Sequence, residues 1–157
     1  MGREVRRVPA DWQHPKMSNG RYQPMFDRSY RDAMSEWTKA RDLYAQGKND
    51  DGEPLPDAAD GCTFEDWHGE EPDPAYYMPD WTDAERTHYQ MFEDTSEGTP
   101  ISPVFATPEE VAQWCADNGA SAFGGMREDY EWWLRVARGC SSIGMKYTPS
   151  TGEIAPA

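Results

Sequence analysis

The chain has 157 residues, 29 of them acidic and 15 basic, for a formal charge of −14, and its length suits one domain able to bury well over half of its unfolded surface. Only 37% of the residues are apolar, yet 20 are Trp, Tyr or Phe; each buried aromatic removes roughly 150–250 Å² from water, which excludes a disordered chain in favour of an aromatic-rich core. No stretch approaches the roughly 20 apolar residues of a membrane span, the basic start MGREVRRVPADW lacks the apolar run of a secretory signal, and Cys62, Cys115 and Cys140 are too few and too scattered for a disulfide framework, which suits a cytoplasmic protein.

Residues 1–48 carry ten Lys/Arg and six Asp/Glu, net +4, whereas residues 49–157 carry five and 23, net −18. Residues 1–28 read as an extended basic arm. Arg3-Glu4-Val5-Arg6-Arg7-Val8 alternates loosely enough for a short edge strand, and Pro9, Pro15 and Gly20 then interrupt regular structure. Such an arm either clamps onto the acidic body or presents Arg3, Arg6 and Arg7 to a partner. The first helix is expected from Ser29 to Gln46. Ser29 and Asp32 stand at capping distance, Tyr30, Ala33, Met34, Trp37, Ala40 and Tyr44 make one apolar face, and Gly47 ends it.

Residues 47–80 form an acidic, Pro- and Gly-rich loop, with 11 carboxylates and no Lys or Arg between Asp50 and Asp80. Its prolines forbid a continuous helix, Thr63 is placed to cap one short turn carrying Phe64 and Trp67, and a connection this long is functional or disordered. Its aromatics are spaced to pin it to the core. Thr82 and Glu85 predict a short helix through about His88, followed by a strand over Tyr89–Glu93 and a turn into Ile101 and Val104-Phe105. TPEEVAQWCADNG is the clearest local signal: Thr107 as N-cap, Pro108 at N1, Glu110 closing the capping box, Val111, Trp114 and Cys115 buried, and Asn118-Gly119 as the stop. A link with a Gly124-Gly125 hinge leads to a last helix from Met126 to Arg138, with Met126, Tyr130, Trp133, Leu134 and Ala137 on its apolar face. Residues 145–157 form a hairpin or a frayed tail. The expected fold is α+β: a mainly helical single domain over 29–144, with three main helices, a small β-hairpin or sheet and long irregular acidic loops.

The stretches GREVRRVPADWQHP, YMPDW, ERTHYQM, SEGTPISPVF and TPEEVAQWCADNGASAF together resemble a family of small proteins encoded by tailed bacteriophages. The resemblance covers most of the chain. It implies an accessory protein acting in the cytoplasm of an infected bacterium and carries over no catalytic residues, because the family has no established activity.

The chemistry-bearing residues point the same way. His14, His68 and His88 are far apart, no Cys-x-x-Cys or His-Glu-x-x-His spacing occurs, and the carboxylates around His68 match no EF-hand. Ser102 lacks a nucleophile elbow and Cys115 lies on an apolar stripe. No phosphate-binding loop is present, so no catalytic residue, metal or cofactor is expected. The body would repel nucleic-acid phosphates, which leaves a basic protein surface as partner. The candidate contacts are Asp50, Asp51, Glu53, Asp57, Asp60, Glu65, Asp66, Glu70, Glu71 and Asp73. A second hypothesis makes aromatic anchors the recognition surface, Tyr76, Tyr77 and Trp81, against their pinning the loop to the core. Fully extended, the 31 residues from Asp50 to Asp80 would place their charges roughly 9 Å apart, against about 3.4 Å along a nucleic-acid strand. Mimicry of DNA would require the segment to fold back, or to be joined by acids such as Glu109 and Asp117. The expected function is non-enzymatic: binding and modulating a host or anti-phage defence complex, of the anti-CRISPR or anti-restriction kind, that handles nucleic acid. The alternative is a phage structural or assembly component using the arm, and an enzyme of unknown class comes third.

Overall fold

The computed structural model describes residues 2–94, 98–139, 145–148 and 153–156, with side chains excepted at 58, 145–148 and 153–156. The chain is α+β, with strands β1 (Arg3–Val8), β2 (His88–Glu93), β3 (Thr99–Pro100), β4 (Met145–Thr148) and β5 (Glu153–Pro156) and helices α1 (Tyr30–Tyr44), α2 (Phe64–His68), α3 (Pro108–Asp117) and α4 (Tyr130–Ala137). It divides into two compact units, Met1–Phe26 with Trp81–Ala157, and Asp27–Asp80.

The first unit is built on an antiparallel sheet in the order β1-β2-β3. Register sets its two faces, since directly opposed residues share a side. Val5 opposes Met91 and Arg7 opposes Tyr89, and Val5, Met91 and Tyr89 meet Val111, Cys115, Trp132 and Trp133 from α3 and α4. Both helices start on local caps. Thr107 and Glu110 exchange the two bonds of a capping box around Pro108, and the Asp129 carboxylate accepts from the Trp132 N–H. On the other face Arg6 and Phe92 are covered by the segment after β1. His14 lies edge-on to Phe92 at 5.5 Å and to Trp12 at 5.8 Å, and Trp12 lies edge-on to Trp81 at 4.7 Å. β4 and β5 pair antiparallel; the residues between them lie outside the described residues.

The amino-terminal stretch therefore differs from an arm presented to a partner. Residues 3–8 are a sheet strand, and Arg3 and Arg6 are only 3% and 4% exposed. Arg3 sits opposite Glu93, with an Nη1–Oε2 distance of 3.4 Å, and its Nε donates to the Ser121 carbonyl at 2.7 Å. Arg6 donates to Glu4 at 2.6 Å and to the Met25 carbonyl at 2.6 Å, and its guanidinium lies 4.5 Å from the Phe92 ring centre. A buried guanidinium is tolerated only when its donors are met. Gly98 belongs to the same arrangement: its φ is +90°, and a Cβ there would fall on the Met25 carbonyl and the Arg6 guanidinium.

One predicted helix is not formed and another is shorter than the sequence predicts. Thr82 and Glu85 make their capping bonds, both 2.8 Å, but only a single turn follows. The reason is remote: Arg7 takes the carbonyls of Asp83 and Arg86 that the next turn would use, the latter at 2.6 Å, and His88 is already paired with Val8. The last helix begins at Tyr130 rather than Met126, because Met126 is bridged to Phe123 and its carbonyl accepts from the Ala122 N–H at 2.8 Å.

The second unit, Asp27–Asp80, holds α1, α2 and two short 3₁₀ turns, Asp57–Ala59 and Pro74–Tyr76. Ser29 caps α1 through the Asp32 N–H, and Ala33, Trp37 and Ala40 are its buried stripe. The interior is small. Phe64 lies edge-on to Trp37 at 5.2 Å and tilted against Tyr44 at 5.6 Å. Two long bonds fix the loop over it: the Tyr44 hydroxyl donates to the Cys62 carbonyl at 2.6 Å and Trp37 Nε1 donates to the Gly69 carbonyl at 3.2 Å.

Candidate functional site

Charge separates the units. Asp27–Asp80 has 15 Asp/Glu and five Lys/Arg, net −10, and the remainder has 14 and ten, net −4. All ten predicted contact carboxylates, from Asp50 to Asp73, lie in the acidic unit and all are exposed.

Some of them also serve the local fold. Asp66 closes a capping box with Thr63 at the start of α2, and those two hydrogen bonds from Thr63 hold its carboxyl below the usual range. The Asp73 carboxylate accepts from the Ala75 N–H at 2.9 Å. Asp50 faces His68, with Oδ2 and Nδ1 3.3 Å apart. Among the described residues Asp51, Glu53, Asp57, Asp60, Glu65, Glu70 and Glu71 make no ion pair. The segment is folded by α2 and the two 3₁₀ turns rather than extended, so its charges are carried by a compact loop.

The aromatic anchors are divided between the two units. Tyr76 is 40% exposed. Tyr77 is half-buried, with its ring centre 5.6 Å from that of Tyr30, and Trp81 belongs to the other unit, packed on Trp12. Pinning thus accounts for Tyr77 and Trp81. The exposed aromatic that the sequence placed among the pins is Trp67, 37% exposed on α2 between Asp66 and His68. Of the two acids considered beside the ten carboxylates, Asp117 accepts from Gln113 Nε2 at 2.8 Å, and Glu109 is engaged by Arg138 at 2.8 Å, which lowers its pKa and raises that of Arg138.

The sequence sets His68 among the carboxylates of Glu65 to Glu71, but its partner is Asp50, 18 positions away. The ring stacks on Phe64 at 5.1 Å with 13° between planes. With Glu36, Lys39, Ala40 and Leu43 the pair lines a cavity of about 280 Å³. No three His, Cys, Asp or Glu side chains converge as a metal site among the described residues. Cys115 is buried, and burial pushes its thiol up to about 12, far from the thiolate a nucleophile needs. Among the described residues no helix is long and apolar enough to cross a membrane. No protein-family model, curated protein or solved structure matches the chain.

Proposed function

We propose that the chain is a non-enzymatic accessory protein that binds a basic protein surface through the acidic face of residues 47–77. One observation carries this reading: ten exposed carboxylates stand in one unit, and among the described residues none of them pairs with a lysine or an arginine. Like charges held on a small unit repel one another and cost stability. A basic partner relieves that repulsion and is drawn in by long-range attraction that salt weakens. In the setting implied by the resemblance to phage proteins, the partner is a host or defence complex in the bacterial cytoplasm whose basic channel handles nucleic acid. Assembly through the amino-terminal arginines has less support, since only Arg7 of the three is exposed.

The test is a tagged pull-down from nuclease-treated bacterial lysate, washed at low and at high salt, with the wild-type chain beside a Glu65→Gln, Glu70→Gln, Glu71→Gln variant. A nucleic-acid-handling complex retained at low salt, shed at high salt and lost by the variant is the expected result. Phage particle proteins held at both salts, by both chains, would overturn the reading in favour of assembly.

A further inference from the structure

The cavity beside α1 has the size and the acceptors for one side chain of such a partner. Its roughly 280 Å³ falls just below the range of small-molecule pockets, which run from about 300 to 1,000 Å³. Ala40 and Leu43 give it an apolar wall. Glu36 commits Oε2 to Arg28 at 2.6 Å and keeps Oε1. Asp50 commits Oδ2 to His68 Nδ1 and keeps Oδ1. Asp50 at Nδ1 orients the ring, and the stack on Phe64 holds it in place. Each of these largely exposed carboxylates thus keeps one oxygen for a further donor, within a unit of net charge −10.

We infer that this cavity seats an arginine side chain of the basic partner, an inference that rests on the acidic-face reading above. A guanidinium is a planar fork of five N–H donors with no acceptor, and its aliphatic stem covers apolar wall. A lysine ammonium, a compact point charge, meets the same acceptors less completely. An anion seated on Lys39 is the competing occupant, and the carboxylates of Glu36 and Asp50 oppose it. Lys39 makes no ion pair among the described residues and opposes a cation in the cavity. Its removal should therefore strengthen binding rather than weaken it.

Calorimetric titration of the full chain at low salt with oligo-arginine and oligo-lysine peptides of equal length tests this, with near-UV circular dichroism confirming that each variant is folded. Oligo-arginine should bind more tightly. Asp50→Asn, which keeps an acceptor for His68, should weaken oligo-arginine by about tenfold, the size of one charge-assisted hydrogen bond. Glu71→Gln, the same charge change on an exposed loop, should weaken it by only about twofold. Lys39→Gln should tighten it. Equal effects of Asp50→Asn and Glu71→Gln, loss of affinity in Lys39→Gln, or no preference for arginine would each overturn the cavity assignment while leaving the acidic face standing. Failure of both peptides to bind would remove both.

Discussion

The two units use charge in opposite ways. In the sheet-bearing unit the buried arginines are structural: Arg3 is matched to Glu93 across a strand pair and Arg6 is enclosed by Glu4, the Met25 carbonyl and the Phe92 ring. In the unit Asp27–Asp80 the carboxylates face solvent, and only caps such as Asp66 and Asp73 shape the backbone. The interiors differ accordingly. Trp133, Met91, Val111 and Cys115 are fully enclosed in the first unit, whereas the cluster of the second is Trp37, Ala40 and Phe64. For a unit with so small an interior, carrying a net −10 costs stability rather than adding to it.

Mutations can break this contrast. Trp133→Ala should cost the most, about 3–5 kcal/mol in urea unfolding, because it empties the centre of the α3–α4–sheet core. Phe64→Ala should cost less, about 2–3 kcal/mol, since the cluster it leaves is small and near solvent. Its mark should be faster hydrogen exchange across α1 and α2.

The sheet-bearing unit should also respond to acid. His14 Nε2 donates to the Gln23 carbonyl at 2.6 Å while Nδ1 is buried with no hydrogen-bond partner among the described residues, and burial lowers the ring's pKa below its ordinary 6.5. The unfolded chain thus takes up a proton before the folded one does. Stability is fully present above about pH 6.5 and falls as the pH drops toward the folded value. Thermal melts of His14→Phe should lack that part of the slope.

Caps come next. Thr63→Ala and Thr107→Ala should each lower stability by about 1 kcal/mol, read by loss of helical circular dichroism. The smallest effect should be Glu70→Gln, within about 0.5 kcal/mol and upward in melting temperature, because it relieves repulsion and breaks no contact. A marked loss there would mean that the acidic face is part of the fold.

What the sequence made legible follows from distance along the chain. The α1 and α3 helices were readable because Ser29 with Asp32, and Thr107 with Glu110, are local pairs. The Thr82 helix was misread because the group that stops it, Arg7, comes from 79 positions away. The same is true of Arg3 and Arg6, whose basic run looks like a free arm until Glu93 and the Met25 carbonyl are brought to it. Exposure of the acids followed from composition alone. The cavity did not, because Glu36, Asp50 and His68 have no spacing that announces them.

The central claim is that residues 47–77 are the contact surface. Hydrogen–deuterium exchange of the full chain, free and bound to the protein it captures at low salt, tests it most directly. The account predicts slowed exchange concentrated between Asp50 and Tyr77, with the sheet and the α3–α4 pair unchanged. Slowed exchange in β1, β2 or α4, with the acidic segment unaffected, would contradict it.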